Sequence, residues 1–220
     1  MRDTQATTDG TPPPARPGDG GGNDGRILAA ARELFLAEGY GGVNLDRVAA
    51  AAGVSRQTVY NRFGSKEAVL RATLERHWAR LGTEELGAVG PADVADPRPF
   101  LRRLATALID LVEGTEQIAM IRLVIAESRR LPWIAEEFHR AGKEPLLRAI
   151  ADRLARLTDR GALACPDPVL AAHQFLGLLQ EYVIWPRVMG VEAFAGPRPP
   201  LDRIVDETVG TFLCRFGARP

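Results

Sequence analysis

Hydrophobic positions recur with helical spacing along most of this 220-residue chain. Ile27, Ala31, Leu34 and Phe35 stand at i, i+4, i+7 and i+8, which predicts an amphipathic helix that ends at Gly39. No segment alternates apolar and polar residues over a useful length, as a half-buried strand would. The pattern therefore predicts an all-α protein, with helices at about 26–39, 45–52, 56–63, 66–81, 98–113, 116–129, 133–158, 168–185 and 201–216.

Two segments without this periodicity divide the chain. Residues 1–25 hold six Gly and four Pro and cannot bury enough apolar surface to offset chain entropy. We therefore expect a disordered arm over 1–24, with Asn23 or Asp24 capping the helix that follows. Residues 82–97, with three Gly and two Pro, predict a linker. The expected organisation is a three-helix domain over 25–70 and a larger helical bundle over 71–220.

The helices predicted at 45–52 and 56–63 are short and joined by a tight turn, as in a helix-turn-helix. A small side chain at Ala49 permits a close helix crossing, Gly53 permits a positive φ, and Val59 fills the angle between the helices. The second helix then leaves side chains outward that can bond base edges and phosphates, namely Ser55, Arg56, Gln57, Thr58, Tyr60 and Asn61.

The charge distribution supports a polyanionic partner for this segment only. The whole chain balances 28 basic against 28 acidic residues, but residues 26–80 carry nine basic and five acidic side chains, a net charge of +4. The helix that opens at Ser65 also presents free backbone amides beside Lys66, a combination suited to a DNA phosphate.

Residues 41–45 (GGVNL), 48–49 (VA) and 52–67 (AGVSRQTVYNRFGSKE) resemble, in order and spacing, the N-terminal domain of the TetR family of transcriptional regulators. The resemblance implies a homodimer that binds double-stranded DNA through this domain and a small-molecule effector through its C-terminal domain. It also implies that Asn44 bonds the DNA backbone and that Arg62, where the family commonly has His, contacts phosphate. Asp46 departs from the pattern, and its charge would either repel phosphate or accept from a cytosine amine.

The complete set of residues predicted to contact DNA follows from the helix-turn-helix reading and the resemblance together. It consists of Asn44, Arg47, Ser55, Arg56, Gln57, Thr58, Tyr60, Asn61, Arg62 and Lys66.

The last two predicted helices each carry a long apolar stripe. The stripes face either the core of the protomer or a partner, and the last helix has no later element to cover it. A four-helix interface built from two copies of this pair would bury both stripes. We therefore predict a dimer interface of Val169, Ala172, Leu176, Leu179, Val183, Leu201, Ile204, Val205, Thr208, Phe212 and Leu213. The stretches 122–130 and 212–217 resemble the AefR-like subgroup of the family.

A ligand pocket is expected among the middle helices. Large apolar side chains with a few polar atoms are typical of such pockets, although each of them also suits an ordinary core. The predicted lining residues are Trp78, Met120, Phe138, His139, Phe175, Tyr182 and Trp185, which favour a lipophilic inducer.

The sequence shows no constellation that indicates catalysis. The three histidines fall on different predicted helices without metal-ligand spacing, and no nucleophile stands beside a base. We expect no enzyme activity, catalytic residue, metal or cofactor, and no apolar run approaches the length of a membrane span. The prediction is a cytoplasmic bacterial repressor that binds a palindromic operator as a dimer and is released by a small lipophilic inducer. The alternative is a helical ligand-binding protein that no longer reads DNA, as Asp46 and the neutral total charge would favour.

Overall fold

The computed structural model describes residues 20–79, 86–191 and 198–218, and these residues are almost entirely helical, with no strand among them. The all-α prediction is confirmed. A π-helical segment, His139–Lys143, continues one helix into the next. The α-helices are α1 (Gly20–Gly42), α2 (Leu45–Ala52), α3 (Arg56–Phe63), α4 (Lys66–Ala79), α5 (Pro91–Ala95), α6 (Arg98–Glu113), α7 (Gln117–Ser128), α8 (Pro132–Phe138), α9 (Glu144–Asp159), α10 (Pro168–Val183), α11 (Trp185–Met189) and α12 (Leu201–Phe216).

The helix boundaries follow local sequence signals, and the structure differs from prediction at several places, including the π-helical segment inside the helix predicted at 133–158. α1 begins at Gly20, so Asn23 and Asp24 lie inside the helix and do not cap it. The remainder of the predicted arm, residues 1–19, lies outside the described residues. Two short helices, α5 and α11, were not predicted; α5 falls in the expected linker, of which residues 82–85 are outside the described part.

The N-terminal helices do not form their core alone. Buried side chains of α1–α4, among them Phe35, Val59 and Leu70, share one hydrophobic cluster with Met120 of α7 and Ile134 of α8. The boundary predicted at residue 70 falls within α4, and the division into two domains stays a prediction. Helices α1–α4 are consequently held directly by α7 and α8.

The second hydrophobic cluster lies among α6, α9, α10 and α12. Phe175 of α10 meets Phe212 of α12 edge-on, with ring centroids 5.1 Å apart, and Phe212 in turn contacts Phe216. After α9 the chain returns to the end of α12, where the Ala164 N–H donates to the Phe216 carbonyl at 2.7 Å. The last helix is thus covered by its own protomer along one face.

That packing changes the reading of the two apolar stripes. Most of their residues lie in the core of the protomer, because α6 and α9 cover the faces that the periodicity identified. Val169 is exposed, and Leu201 and Leu213 are only partly buried. Periodicity shows which face of a helix is buried but not which element buries it. The buried stripe residues are Ala172, Leu176, Leu179, Val183, Ile204, Val205, Thr208 and Phe212.

Candidate functional site

The turn between α2 and α3 has the geometry of a helix-turn-helix. Gly53 adopts φ 62° and ψ 39°, a left-handed conformation that glycine reaches without a Cβ clash, and its N–H closes the end of α2. Ser55 then caps α3, since its Oγ accepts from the Thr58 N–H at 3.1 Å. Ala49 and Val59 are buried between the two helices. α3 is therefore fixed by its inner face and open to solvent on the other.

The outer face of α3 carries the polar side chains that the sequence indicates. Arg56, Gln57, Tyr60 and Asn61 are all exposed. They form i,i+4 pairs: Gln57 Nε2 donates to Asn61 Oδ1 at 2.6 Å, and the Arg56 guanidinium lies 5.1 Å from the Tyr60 ring centroid. Amide and guanidinium groups of this kind can exchange these contacts for base edges in a major groove.

Asp46 has a role that neither sequence reading of it anticipated. Its Oδ1 lies 2.8 Å from Arg56 Nε, and both side chains are more than half exposed. The pair crosses from α2 to α3 and holds the arginine against the start of the recognition helix. Asp46 thus orients Arg56 in the protein without DNA.

Three other cations in the predicted set are held by the protein itself. Arg47 forms a bidentate pair with the Glu38 carboxylate and donates to the Gly42 carbonyl. The partly buried Lys66 donates to the Tyr40 carbonyl at 2.8 Å, with its ammonium 4.3 Å from the Tyr40 ring centroid.

Arg62 lies 3.5 Å from an Asp24 carboxylate oxygen. Asn44, by contrast, caps α2, since its Oδ1 accepts from the Arg47 N–H at 2.9 Å. Arg47, Arg62 and Lys66 thus have partners within the protein when DNA is absent, and their contacts with DNA stay predictions.

A cavity of about 150 Å³ lies among α4, α6, α7 and α10 and the continuous run of α8, the π-helical segment and α9. Its wall is almost wholly apolar and consists of Trp78, Leu108, Ile109, Leu111, Val112, Gln117, Ile121, Phe138, Lys143, Leu146, Leu176, Leu179, Gln180, Val183, Ile184 and Trp185.

Of the residues predicted to line a ligand pocket, Trp78, Phe138 and Trp185 do so. Met120 and Phe175 are buried in the two hydrophobic clusters, and His139 and Tyr182 lie on outer grooves. The prediction missed the aliphatic wall that α6 supplies, because its apolar stripe does not differ from that of a core helix. It also missed Lys143, which lies where the sequence predicts one uninterrupted α-helix.

The π-helical segment shapes this wall. The Glu144 N–H donates to the His139 carbonyl, an i→i+5 bond that widens the turn by one residue. Gly142 lies against the face of Trp78 so closely that a Cβ on it would come within 1.8 Å of Trp78 Cδ2. Phe138 meets the same indole edge-on at a centroid distance of 5.1 Å. Glycine at 142 is therefore required for Trp78 to occupy the cavity wall.

Few polar groups face this apolar space. The buried His77 Nε2 donates to Gln117 Oε1 at 2.7 Å, which leaves the Gln117 amide N–H groups as donors. Trp78 Nε1 is buried without a hydrogen-bond partner among the described residues. Burial of the Lys143 side chain lowers the pKa of its ammonium below the usual range. Within the described lining, Lys143 is the charged residue.

Charged contacts, as well as the shared core, join α4 to the helices that line the cavity. On α4, Arg71 reaches Glu137 of α8 at 2.6 Å. Arg140 of the π segment contacts both Glu137 and Glu75 of α4. Burial raises the pKa of Glu137, but hydrogen bonds from Arg140 and Arg71 outweigh it and hold the pKa below its ordinary value.

Polar contacts also join α1 to α7 and the residue before it. Arg32 Nε lies 2.8 Å from Glu116, and the Tyr40 N–H donates to Glu127 at 2.9 Å.

A second surface feature lies on the outer side of α10 and α12. Leu178 and Tyr182 are exposed there and line a shallow groove with Thr211 of α12. A Cβ at Gly177 or Gly210 would meet no atom within 4 Å, so the packing of the protomer requires glycine at neither position.

The described residues contain neither a cluster suited to a metal ion nor a helix suited to a membrane. No group of three or more His, Cys, Asp or Glu side chains is placed to hold a metal ion. No described helix combines the length and apolar character needed to cross a membrane.

Helices α1–α4 form a small domain that exposes α3, and this domain packs on a helical domain that contains a cavity. This arrangement is typical of helix-turn-helix regulators. Residues 27–73 match the model of the bacterial regulatory proteins of the tetR family. Residues 99–218, more than half of the chain, match the C-terminal domain of AefR-like transcriptional repressors. The chain therefore belongs to the TetR family of bacterial transcriptional regulators.

Several curated relatives match part of the chain. An HTH-type transcriptional regulator from Mycobacterium tuberculosis is 35% identical over 94 residues, which is 43% of this chain and 46% of that protein. The transcriptional activator FasR from Mycolicibacterium smegmatis is 34% identical over 93 residues, 42% of each chain. The matched region thus spans less than half of the length of these relatives.

Solved structures resemble nearly the whole chain. The flavonoid-responsive regulator FrrA is 27% identical with a TM-score of 0.76, and the match covers 91% of this chain and 100% of FrrA. A TetR family transcriptional regulator from Pseudomonas syringae pv. tomato is 25% identical with a TM-score of 0.69, covering 89% of this chain and 97% of that one. The arrangement of both domains is therefore shared with regulators of this family.

Proposed function

We propose that the protein is a ligand-responsive transcriptional regulator, a repressor that binds its operator through α3 and leaves it when the cavity is filled. The observation that carries the proposal is the exposed polar face of α3, presented by a turn with left-handed Gly53. In a helix-turn-helix the N-terminal residues of the second helix contact base edges. Arg56 and Gln57 occupy those positions here.

Footprinting on the DNA that flanks the gene, at two salt concentrations, tests the proposal. We expect a symmetric footprint that weakens as salt rises, because phosphate contacts release counterions. Arg56→Ala is expected to lower the preference for operator over random DNA about tenfold. Arg148→Ala, which removes an exposed arginine on α9, is the control and should bind as the wild type does.

A folded protein that leaves no footprint and binds DNA without salt dependence would favour the alternative of a ligand-binding protein that does not read DNA.

The proposal includes a homodimer formed by the outer faces of α10 and α12. Exposed Leu178 and Tyr182 supply apolar contact there, and Gly177 and Gly210 leave room for close approach of a partner helix. An isologous contact of this kind would place two copies of α3 on one side of the assembly, as a palindromic operator requires.

Light scattering tests this interface, with twice the 23.9 kDa chain mass expected for the wild type. The double variant Leu178→Glu/Tyr182→Glu should be monomeric, because four carboxylates would be desolvated at a symmetric contact. Met189→Glu places one carboxylate on exposed α11, outside the proposed interface, and should remain dimeric. A monomeric wild type, or a dimeric double variant, would contradict this assignment.

The response to ligand is proposed to travel through α4. The helix runs from Lys66 beside the DNA-binding turn to Trp78 in the cavity wall, about 20 Å at 1.5 Å per residue. A ligand that displaces Trp78 would move α4 and thereby the heads of the dimer. Thermodynamic linkage then requires DNA to weaken ligand binding by the same factor, typically about 5- to 150-fold.

A further inference from the structure

This inference about the class of ligand rests on the ligand site proposed above. The residues that line the cavity limit which ligands can bind there. The volume of about 150 Å³ corresponds to cavities that hold a benzene-sized molecule. Aliphatic side chains from α6 and α10 line most of it, and Trp78, Phe138 and Trp185 contribute aromatic surface. The space therefore suits one ring or a short branched chain.

Lys143 is the exception in this apolar wall. Its ammonium forms no hydrogen bond or ion pair with any described residue, and no carboxylate lines the described part of the cavity. The neighbouring Glu144 is engaged elsewhere, in a pair with Arg148. A partly buried cation without a partner costs desolvation energy that an anion at the same place would offset.

The uncharged polar groups around the cavity are also mainly hydrogen-bond donors, which an anionic ligand would accept from. The indole N–H of Trp78 is buried without a partner among the described residues, and Gln117 offers N–H donors because its carbonyl accepts from His77. Gln180 adds one amide that can donate or accept. Donors thus outnumber acceptors around a space that is otherwise apolar.

We infer that the cavity binds a small, apolar, ring-sized molecule that carries one anionic group, and that Lys143 is the residue that selects for the anion. The wide π-helical turn places Lys143 there, since one extra residue in a turn rotates the following side chains by about 100° relative to an uninterrupted α-helix. The selected ligand is an aromatic or short branched acid.

Calorimetric titration with a matched pair of probes tests the inference without DNA. The probes are 3-phenylpropionate and its uncharged amide, 3-phenylpropanamide, which differ in charge but hardly in size. We expect the wild type to bind the acid about tenfold more tightly than the amide, because hydrogen bonds to charged groups exceed those to neutral ones. Lys143→Met should abolish this preference and Lys143→Arg should retain it.

Arg160→Met is the matched control, since it removes a positive charge from an exposed position outside the cavity and leaves the Glu144–Arg148 pair in place. It should leave the preference for the acid unchanged. Circular dichroism establishes that each variant is folded. Equal binding of acid and amide, tighter binding of the amide, or binding of neither by the wild type would overturn the inference. A footprint that persists in any of these cases would leave the proposed DNA-binding function intact.

A second readout uses the lysine content of the chain, which is limited to Lys66 and Lys143. Protein labelled with 13Cε-lysine should give two signals, assigned by the one that Lys143→Met removes. Saturating 3-phenylpropionate is expected to shift the Lys143 signal, whereas the amide leaves it in place. An unmoved Lys143 signal at saturation would contradict direct contact with the anion.

Discussion

The carboxylate of Glu137 is the most informative place to perturb the junction between the DNA-binding helices and the cavity. Its side chain is only 3% exposed, and it accepts from Arg71 of α4 at 2.6 Å and from Arg140 at 2.5 Å. Glu137→Gln keeps the size of the side chain and removes the charge. Both arginines then lose a buried partner, although each retains an exposed glutamate, Glu67 or Glu75.

The magnitude follows from the burial of the three groups. Breaking a fully buried ion pair costs about 3–5 kcal/mol and an exposed pair about 0–1 kcal/mol. Glu137 is buried, but both arginines reach solvent, so we expect a loss of about 2 kcal/mol in the free energy of unfolding. For a chain of this size the loss corresponds to a fall in Tm of about 4–8 °C.

The effect should depend on pH with a defined sign. The pKa of Glu137 in the folded protein is below its ordinary value of 4.5, so its ionised form stabilises the fold. That stabilisation is complete above the ordinary pKa and disappears as pH falls through the lowered pKa. The difference between wild type and variant should therefore be constant from pH 7 to pH 5 and shrink below pH 4.5.

Urea unfolding monitored by circular dichroism at pH 7, pH 5 and pH 3.5 measures the difference. Glu136→Gln is the control, because it makes the same change one residue earlier at an exposed position, where the expected effect is within about 0.5 kcal/mol. Equal destabilisation by the two variants would refute the assigned role of the buried carboxylate. A difference that persists undiminished at pH 3.5 would refute the pH argument.

Three further changes test other contacts. Gly142→Ala should destabilise the protein by about 1–3 kcal/mol and shift the tryptophan emission, since the added methyl overlaps the Trp78 ring; an unchanged melting curve would rule out that contact. Met120→Ala should cost about 2–5 kcal/mol and lower DNA affinity through the core shared with α1–α4, whereas retained stability in urea would place the side chain outside that core. Asp46→Asn should strengthen binding to random DNA, because it removes a negative charge and releases Arg56. Competition assays should then show a smaller ratio of operator affinity to random-DNA affinity. A larger ratio would show that the carboxylate itself disfavours the operator.

The agreement between sequence and structure is closest where local signals act alone. α2 and α3 begin and end at the predicted residues because Asn44 and Ser55 cap their starts and Gly53 and Gly64 end them. α6 and α12 likewise match their predicted spans. Caps and glycines act within a few residues of the chain, so a single sequence contains the information.

Contacts between distant segments account for the differences. Lys66 donates to the carbonyl of Tyr40, 26 residues away along the chain, in the protein without DNA, and its contact with a DNA phosphate stays a prediction. The stripes of α10 and α12 were predicted to meet a second copy, but α6 and α9 cover them. A periodic apolar face and a basic side chain each have several possible partners, and only the assembled fold selects one.

The amino-acid sequence by itself determined the helical class, the helix-turn-helix and the polar face of α3, because periodicity, caps and the conformational freedom of Gly53 are local properties. Only the tertiary structure decided which helices share the core of the head, which residues surround the cavity, and how the π-helical turn places Lys143 in its wall. The physical reason is that cavities and ion pairs join residues from separate helices, whose relative positions follow from the packing of the whole chain.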